Sequence, residues 1–263
     1  MIKFYFKVYK KLFLMNLSVL TAHRAAFINH LVGGTVWGIF SFIVMLLLTH
    51  NVQSIFSWNK QEILLLTGIL GVVLGLFNTF FQANFDAFPN LVNKGKLDTF
   101  LLKPMDAQVL LTLWNTRIIS LSRALIGLVF IIYISINYNL SLSLIGIILS
   151  LPLIVLGLGL YYSIWLIVTT LTIWFDRATN IVELLHSLQS IMRLPPVVFR
   201  ELSFILFLVL LPLTIVAATP VGVIMGRIDL GSIALLSAVS LLFLFISRKF
   251  WLFALRSYTS ASS

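Results

Sequence analysis

Apolar residues dominate this chain in six long stretches separated by shorter polar segments. The stretches run about Phe27 to Thr49, Ile63 to Phe81, Leu113 to Ile136, Leu144 to Trp174, Phe204 to Ala218 and Ser232 to Ser247. A helix needs roughly 20 mostly apolar residues to cross a bilayer, so the pattern predicts six spans. The fourth stretch is too long for one crossing, and one end of it should project. The fifth is short and contains Pro212, which leaves a broken or partly re-entrant segment open. Before the first span, Lys3, Lys7, Lys10 and Lys11 recur at helical spacing among Phe4, Tyr5, Phe6, Val8 and Tyr9. Residues 1–26 therefore read as an amphipathic helix on the membrane surface, favoured over a merely topogenic basic tail. No apolar core followed by a small-residue cleavage site marks a removable signal peptide.

Composition agrees with the pattern. Of 263 residues, 60% are hydrophobic and 10% charged, against roughly 25% charged in a soluble domain. The 18 Lys and Arg and 8 Asp and Glu could not cover the surface of a soluble protein of this size. The fold class expected is an all-α integral membrane protein, with residues 1–263 forming one transmembrane domain and no soluble one. A net charge of +10 would suggest nucleic acid in a soluble protein; here it reads as the topology signal, and no nucleic-acid partner is expected.

The cations fix the orientation. Lys3, Lys7, Lys10, Lys11, Arg24, Lys94, Lys96, Lys103, Arg177, Arg193, Arg200, Arg248, Lys249 and Arg256 fall on one side of a six-span arrangement. Only Lys60 and Arg227 fall on the other, and Arg117 and Arg123 lie in the third stretch. The positive-inside bias puts both termini, the loop 82–108 and the loop 175–203 in the cytoplasm of a cell bounded by an inner (plasma) membrane. Trp58, Trp114 and Trp174 fit the aromatic belts at the two interfaces. Gly34–Gly38 and Gly71–Gly75 have the small-xxx-small spacing that lets helices approach closely, more often within one bundle than between subunits.

Several chemistries are missing. The eight acidic residues and the four histidines fall in loops or at span ends, so the intramembrane carboxylate or histidine of an ion-coupled carrier is lacking. The chain has no Cys, no His/Glu zinc motif, and no phosphate-binding loop: Gly95-Lys96 is followed by Leu97 and has no glycine five residues before it. The chain is therefore not expected to be an enzyme or to bind a cofactor or metal, and any active transport must draw energy from another polypeptide.

The segment Leu91-Val92-Asn93-Lys94-Gly95-Lys96-Leu97-Asp98-Thr99-Phe100-Leu101-Leu102-Lys103-Pro104 is the most informative. Asn93 to Lys96 form a turn with Gly95 free to take positive φ. Asp98 is placed to cap a short helix through Phe100, Leu101 and Leu102, and Pro104 limits it. Asp106 is placed to cap the helix that becomes span three. Leu97, Phe100, Leu101 and Leu102 make this helix too apolar for a solvated loop. Docking on the chain's own bundle or lipid surface and docking on a partner are equally served by that pattern.

The segment resembles the G-x-L-D-x-x-L-L-[RK]-P signature of membrane subunits of type-2 ABC exporters, the six-span permeases with a separate ATPase. The matching residues are Gly95, Leu97, Asp98, Leu101, Leu102, Lys103 and Pro104. Leu194-Pro195-Pro196-Val197-Val198-Phe199, Leu211-Pro212 followed by Thr219-Pro220 and Gly226, and the tail Arg256-Ser257-Tyr258-Thr259-Ser260-Ala261-Ser262 are similar to later motifs of that subfamily. Leu91 stands where isoleucine is more usual, and lysines replace arginines. The resemblance implies a short cytoplasmic coupling helix between spans two and three, with Gly95, Leu97, Asp98, Phe100, Leu101, Leu102, Lys103 and Pro104 contacting an ATP-binding subunit. It implies two ATPase subunits, ATP and Mg held by them, and a second six-span permease, identical or related. The alternative is a secondary or facilitative transporter without ATPase.

Two further features stand out. Arg123 lies roughly 9 Å deeper than Arg117 in a continuous helix, so it should face protein or water. Its partner is Glu183, an anionic lipid headgroup or a substrate, and it is a candidate pathway or charge-pair residue with Glu183. Ile181, Leu184, Leu185, Leu188 and Met192 recur at helical spacing opposite Glu183, His186, Ser187, Gln189 and Ser190, which predicts a second surface helix at the membrane interface or ATPase contact.

Overall fold

A computed structural model describes residues 2–22, 24–50, 54–55, 58–140, 142–175, 179–189, 191–193, 196 and 204–258. Several sequence features lie outside the described residues: His23, Asp176, Arg177, Leu194, Pro195, Val197 to Glu201, and Thr259 to Ser262. The basic N-terminal segment is helical as α1 (Ile2–Ala22), followed by α2 (Arg24–Leu48). The remaining helices are α3 (Lys60–Phe77), α4 (Ala83–Asn93), α5 (Asp98–Leu101), α6 (Ala107–Leu113) and α7 (Leu121–Asn137). They continue as α8 (Leu144–Thr170), α9 (Thr179–Leu188), α10 (Phe204–Ile224) and α11 (Leu230–Ser257). A two-residue antiparallel pairing, Ser54 with Asn59 and Ile55 with Trp58, lies between α2 and α3.

Among the described residues, five helical stretches are long and apolar enough to cross a membrane: Phe27–Leu48, Lys60–Asn93, Ile118–Asn137, Leu144–Ile173 and Leu230–Ser257. The fifth apolar stretch of the sequence is α10, whose described apolar part, Leu211–Ile224, is shorter. Pro212 and Pro220 do not break α10. Of the alternatives the sequence left open, the segment is therefore a continuous helix and not a broken one. Prolines are tolerated in membrane helices where neighbouring elements satisfy the freed carbonyls.

The second span sits at the centre. Along α3, Ile63 to Gly75 are buried without a break, and α3 packs on α7, α10, α2 and α8. A helix buried on every side is apolar all round, which this one is. Its N-terminal end is fixed by polar groups. Glu62, 3% exposed, accepts from the Asn59 N–H (2.9 Å) and pairs with Arg227 Nη2 at 2.5 Å. A carboxylate so buried needs that partner.

The span contacts are made by small residues. A Cβ on Gly127 of α7 would lie 2.8 Å from Gly68 O and 2.9 Å from Val72 N of α3. A Cβ on Gly75 would meet the backbone of Ala124, and one on Gly157 of α8 would lie 2.8 Å from Val216 O of α10. Gly38 of α2 faces Ile126 of α7. Both small-xxx-small pairs of the sequence thus face neighbours within this bundle.

Span three departs from its expected course. Asp106 does cap a helix, accepting from the Val109 N–H (3.2 Å), but that helix is α6 and it stops at Leu113. The chain then leaves helical geometry over Trp114–Arg117 and re-enters through a 3-10 turn, Ile118–Ser120, before α7. Arg117 therefore lies before the span helix, not in it. Three side-chain bonds from Asn84 hold the break open: Nδ2 donates to Thr112 O (2.8 Å) and Asn115 O (2.9 Å), and Oδ1 accepts from the Asn115 N–H (2.8 Å). The Arg117 N–H donates to Thr79 O at 2.8 Å. Thr79 belongs to a π-helical turn, Asn78–Gln82, between α3 and α4. Such turns are frequent at functional sites.

Candidate functional site

The loop between spans two and three is built as the turn chemistry requires. Gly95 takes φ +63°, a left-handed conformation that costs glycine little. Lys96 and Leu97 N–H groups donate to Leu91 O (2.8 and 3.2 Å), closing the turn. Asp98 is the first residue of α5, not its cap; Leu97 precedes it in helical geometry without a side-chain cap. Asp98 instead lies by Tyr258, just beyond α11. Partial burial first, and the negative charge of Asp98 second, push the Tyr258 phenol above its usual value. The loop signature and the tyrosine of the tail motif, far apart in sequence, meet in space.

The apolar residues of this loop divide between two faces. Leu97 is fully buried and Phe100 nearly so. Phe100 meets Trp114 edge to face at 5.4 Å, and the Lys103 ammonium sits 4.0 Å above the Trp114 ring. Leu101 is 37% exposed and Leu102 86% exposed; Pro104 is exposed beside them. The sequence left open whether this helix docks inward or outward. Leu97 and Phe100 dock inward, and Leu101 and Leu102 are left outward.

Three elements hold the loop's far end. Arg248 of α11 pairs with Asp106 and donates to Gln108 Oε1 (2.7 Å). Gln108 Nε2 donates to the Tyr162 hydroxyl of α8 (2.9 Å), and the Asp106 N–H donates to the Tyr5 hydroxyl of α1 (3.1 Å). Burial alone would raise the Asp106 carboxyl, but the hydrogen bonds from Arg248 and the Val109 N–H and the charge of Arg248 outweigh it and hold it below its usual value. A depressed carboxyl contributes stability above its unfolded value, about 3.9, and loses it as pH falls through the folded value. The clamp should therefore be insensitive to pH near neutrality and fail only below about pH 4. Asn is as good an N-cap as Asp, so Asp106→Asn removes the ion pair alone. Its expected cost is under about 1 kcal/mol at this exposure, and Asp106→Ala adds about 1 kcal/mol for the lost cap. Thermal unfolding of the two variants measures both steps.

Arg248 is the group sequence reasoning missed. Along the chain it reads only as a topology charge, because nothing there links it to residues 106–108. The second loop holds another such group. His186 of α9 accepts at Nδ1 from Gln82 Nε2 (3.0 Å), and its Nε2–H donates to Asp86 Oδ1 (3.1 Å). That tautomer is assigned from its partners. The ring also stands edge-on to Trp165 at 5.1 Å. Gln82 and Asp86, four apart and so on one helix face, are the available signal. On the same segment Val182, Leu185 and Met192 are buried but Leu184 is exposed. The predicted apolar face is thus off in register, turned toward Val182, and His186 faces the bundle.

Arg123 and Glu183 are not brought together. Glu183 is exposed on α9, and no ion pair joins it to Arg123 among the described residues. Arg123, in the first turn of α7, faces the π-helical turn. Asn78, with its amide oriented by its surroundings, accepts at Oδ1 from Arg123 Nη1 (3.1 Å) and donates from Nδ2 to Leu74 O (3.1 Å). Arg123 and Arg117 both line a cavity of about 520 Å³ bounded by α1, α2, the π-helical turn and the break before α7.

Buried apolar spans, close glycine contacts and a short helix clamped between span ends define a polytopic helical membrane protein with a rigid, outward-facing loop. Residues 35–262 match the model of the ABC-2 family transporter proteins, and the chain belongs to that family. It is an ABC-2 type permease subunit, a multi-pass membrane component of a family that generally works with a cytoplasmic ATPase. No match was found among curated proteins.

Proposed function

We propose that this chain is half of the pathway of an ATP-driven exporter, a single six-span ABC-2 transmembrane domain. In this reading Leu101 and Leu102 of α5, with Gly95, Asp98, Lys103 and Pro104 around them, enter a groove of a separate cytoplasmic ATPase, which binds ATP and Mg. Leu97 and Phe100 anchor the helix to the bundle. The observation that carries the reading is the exposure of Leu102 on a helix otherwise fixed to the ends of spans two, three and six. An exposed apolar tip on a rigid base is suited to transmit a rigid-body motion. Closure driven by ATP can act through it only if ATP binds the two states with different affinity.

A single chain supplies one wall of a pathway that runs between two six-span halves. The complete exporter should contain two permease halves, identical or related, and two ATPase subunits, in the plasma membrane. Both termini and the α5 loop should be cytoplasmic. The native mass and subunit composition of the detergent-solubilised complex test the assembly. A functional complex with one copy of this chain and no second permease overturns it. The chain has no Cys, so single cysteines at Lys96 and Ser260 report topology. They should resist an impermeant thiol reagent applied to intact cells and react in inverted vesicles; labelling from outside refutes the orientation.

A further inference from the structure

The cavity at the broken entry to span three gathers positive charge, with no acidic side chain among its described lining residues. Arg117 and Arg123 both line it. Arg193 joins Arg123 in lining an adjoining small cavity. None of the three has an ion-pair partner among the described residues. Like charges gathered beside apolar helices repel through a low dielectric, and cations at such a position normally pair.

The remaining lining is made of hydrogen-bonding groups. Asn78 and Asn115 contribute amides. Thr116 is 4% exposed, and its buried hydroxyl finds no hydrogen-bond partner among the described residues. With almost none of its surface accessible, that hydroxyl helps close the cavity wall and is not offered to a ligand. The local backbone creates the group of donors. The π-helical turn carries Asn78 to Arg123, and the break held by Asn84 brings Thr116 and Arg117 to the same cavity. One wall is Trp37, exposed on the apolar outer face of α2 among Val36 and Phe40. The cavity therefore borders the surface that lipid chains would cover.

We infer that this cavity, lined by Arg117, Arg123 and Asn115, binds the phosphate group of an anionic amphiphile whose tails lie along α2. Two guanidiniums and an amide offer more donors than a carboxylate's two oxygens can accept, and a phosphodiester or phosphate monoester suits them better. The site does not depend on the chain's being an exporter, since it can be filled in the isolated protein.

The test uses the full chain, delipidated in a non-ionic detergent. Phosphatidylglycerol, phosphatidylcholine, glycerol phosphate and inorganic phosphate are added separately, and bound lipid is read by native mass spectrometry and by the unfolding midpoint. Phosphatidylglycerol should bind and stabilise, and phosphatidylcholine should bind at least about tenfold more weakly. Stabilisation by phosphatidylglycerol without inorganic or glycerol phosphate assigns the site to lipid. Stabilisation by all three anions assigns it to the phosphate chemistry whether free or anchored. Arg117→Gln should weaken binding about tenfold or more, as should Arg123→Gln, while Lys96→Gln, in the exposed turn before α5, should not. Asn115→Ala removes an exposed lining amide and keeps the backbone bonds to Asn84, so it should weaken binding and leave the lipid-free protein folded; this keeps the test valid if Arg123→Gln does not fold. Equal binding of phosphatidylglycerol and phosphatidylcholine, or equal loss with Lys96→Gln and Arg117→Gln, overturns the inference, as does unaltered binding in Arg117→Gln and Asn115→Ala.

Discussion

Gly127→Leu will leave little folded chain in the membrane, although leucine is by itself the better helix former. In an isolated helix the exchange would favour the helical state by just under about 1 kcal/mol. Here the first side-chain carbon would already stand 2.8 Å from Gly68 O, 2.9 Å from Val72 N and 3.0 Å from the Gly71 carbonyl carbon. Overpacking of an ordinary core costs about 1–3 kcal/mol because neighbouring side chains can turn aside. Backbone cannot, so the loss at Gly127 should exceed about 3 kcal/mol, well above the gain in propensity. In lipid, the packing between helices is itself a main source of association, so separating α3 from α7 removes contact along the centre of the bundle. The control is Gly33→Leu, where an added Cβ would meet nothing within 4 Å. Gly33→Leu should give a monodisperse peak in detergent at the wild-type yield, and Gly127→Leu should aggregate. Equal yield and equal unfolding midpoint for both would show that α3 and α7 do not pack as described.

What could be read along the chain, and what could not, follows from which interactions are local. The Gly95 turn and the Asp106 cap are short-range and stand where the sequence put them. Long apolar stretches likewise mark the helices, since hydropathy sums over neighbours. The break after Leu113 shows along the chain only as a short polar run, Asn115-Thr116-Arg117, which reads equally well as the interfacial start of a span; its bend is made by Asn84 and Thr79, far away in sequence. For Arg123 the sequence offers Glu183, a lipid headgroup or a substrate, because charge and depth say that a cation needs a partner without saying which element arrives there; among the described residues the Asn78 amide stands beside it and Glu183 does not. Span two is continuous to Asn93 and α11 to Ser257 because helices continue past the point where hydropathy falls. Their polar ends, with Asp86 and Arg248, then have tertiary partners waiting in α9 and at the start of α6.

Leu102→Asp will abolish co-purification of the ATPase while the permease itself remains inserted and folded. The two halves of that expectation rest on different faces of one short helix. Leu102 is 86% exposed and Leu101 37% exposed, so a charge at position 102 meets solvent in the isolated chain and disturbs no packing. The helix keeps its seat through Leu97 and Phe100, which are buried, and through Lys103 over the Trp114 ring. If the outward tip enters a partner's groove, burial of a leucine there is worth about 1.5–3 kcal/mol. Its loss alone weakens association by about tenfold to a hundredfold, and a carboxylate forced into an apolar groove adds a desolvation cost. Leu101→Asp should act in the same direction with a smaller effect, in keeping with its lesser exposure. Phe100→Asp separates the roles, since it puts charge into the inward anchor and should lower the yield of folded permease before any partner is added. The measurement is a pull-down of the ATPase on each variant at matched membrane expression, with transport followed in the same cells. Normal recovery of the ATPase on Leu102→Asp and Leu101→Asp together would place the contact surface elsewhere on the permease, α9 with its exposed Leu184 being the next face to test.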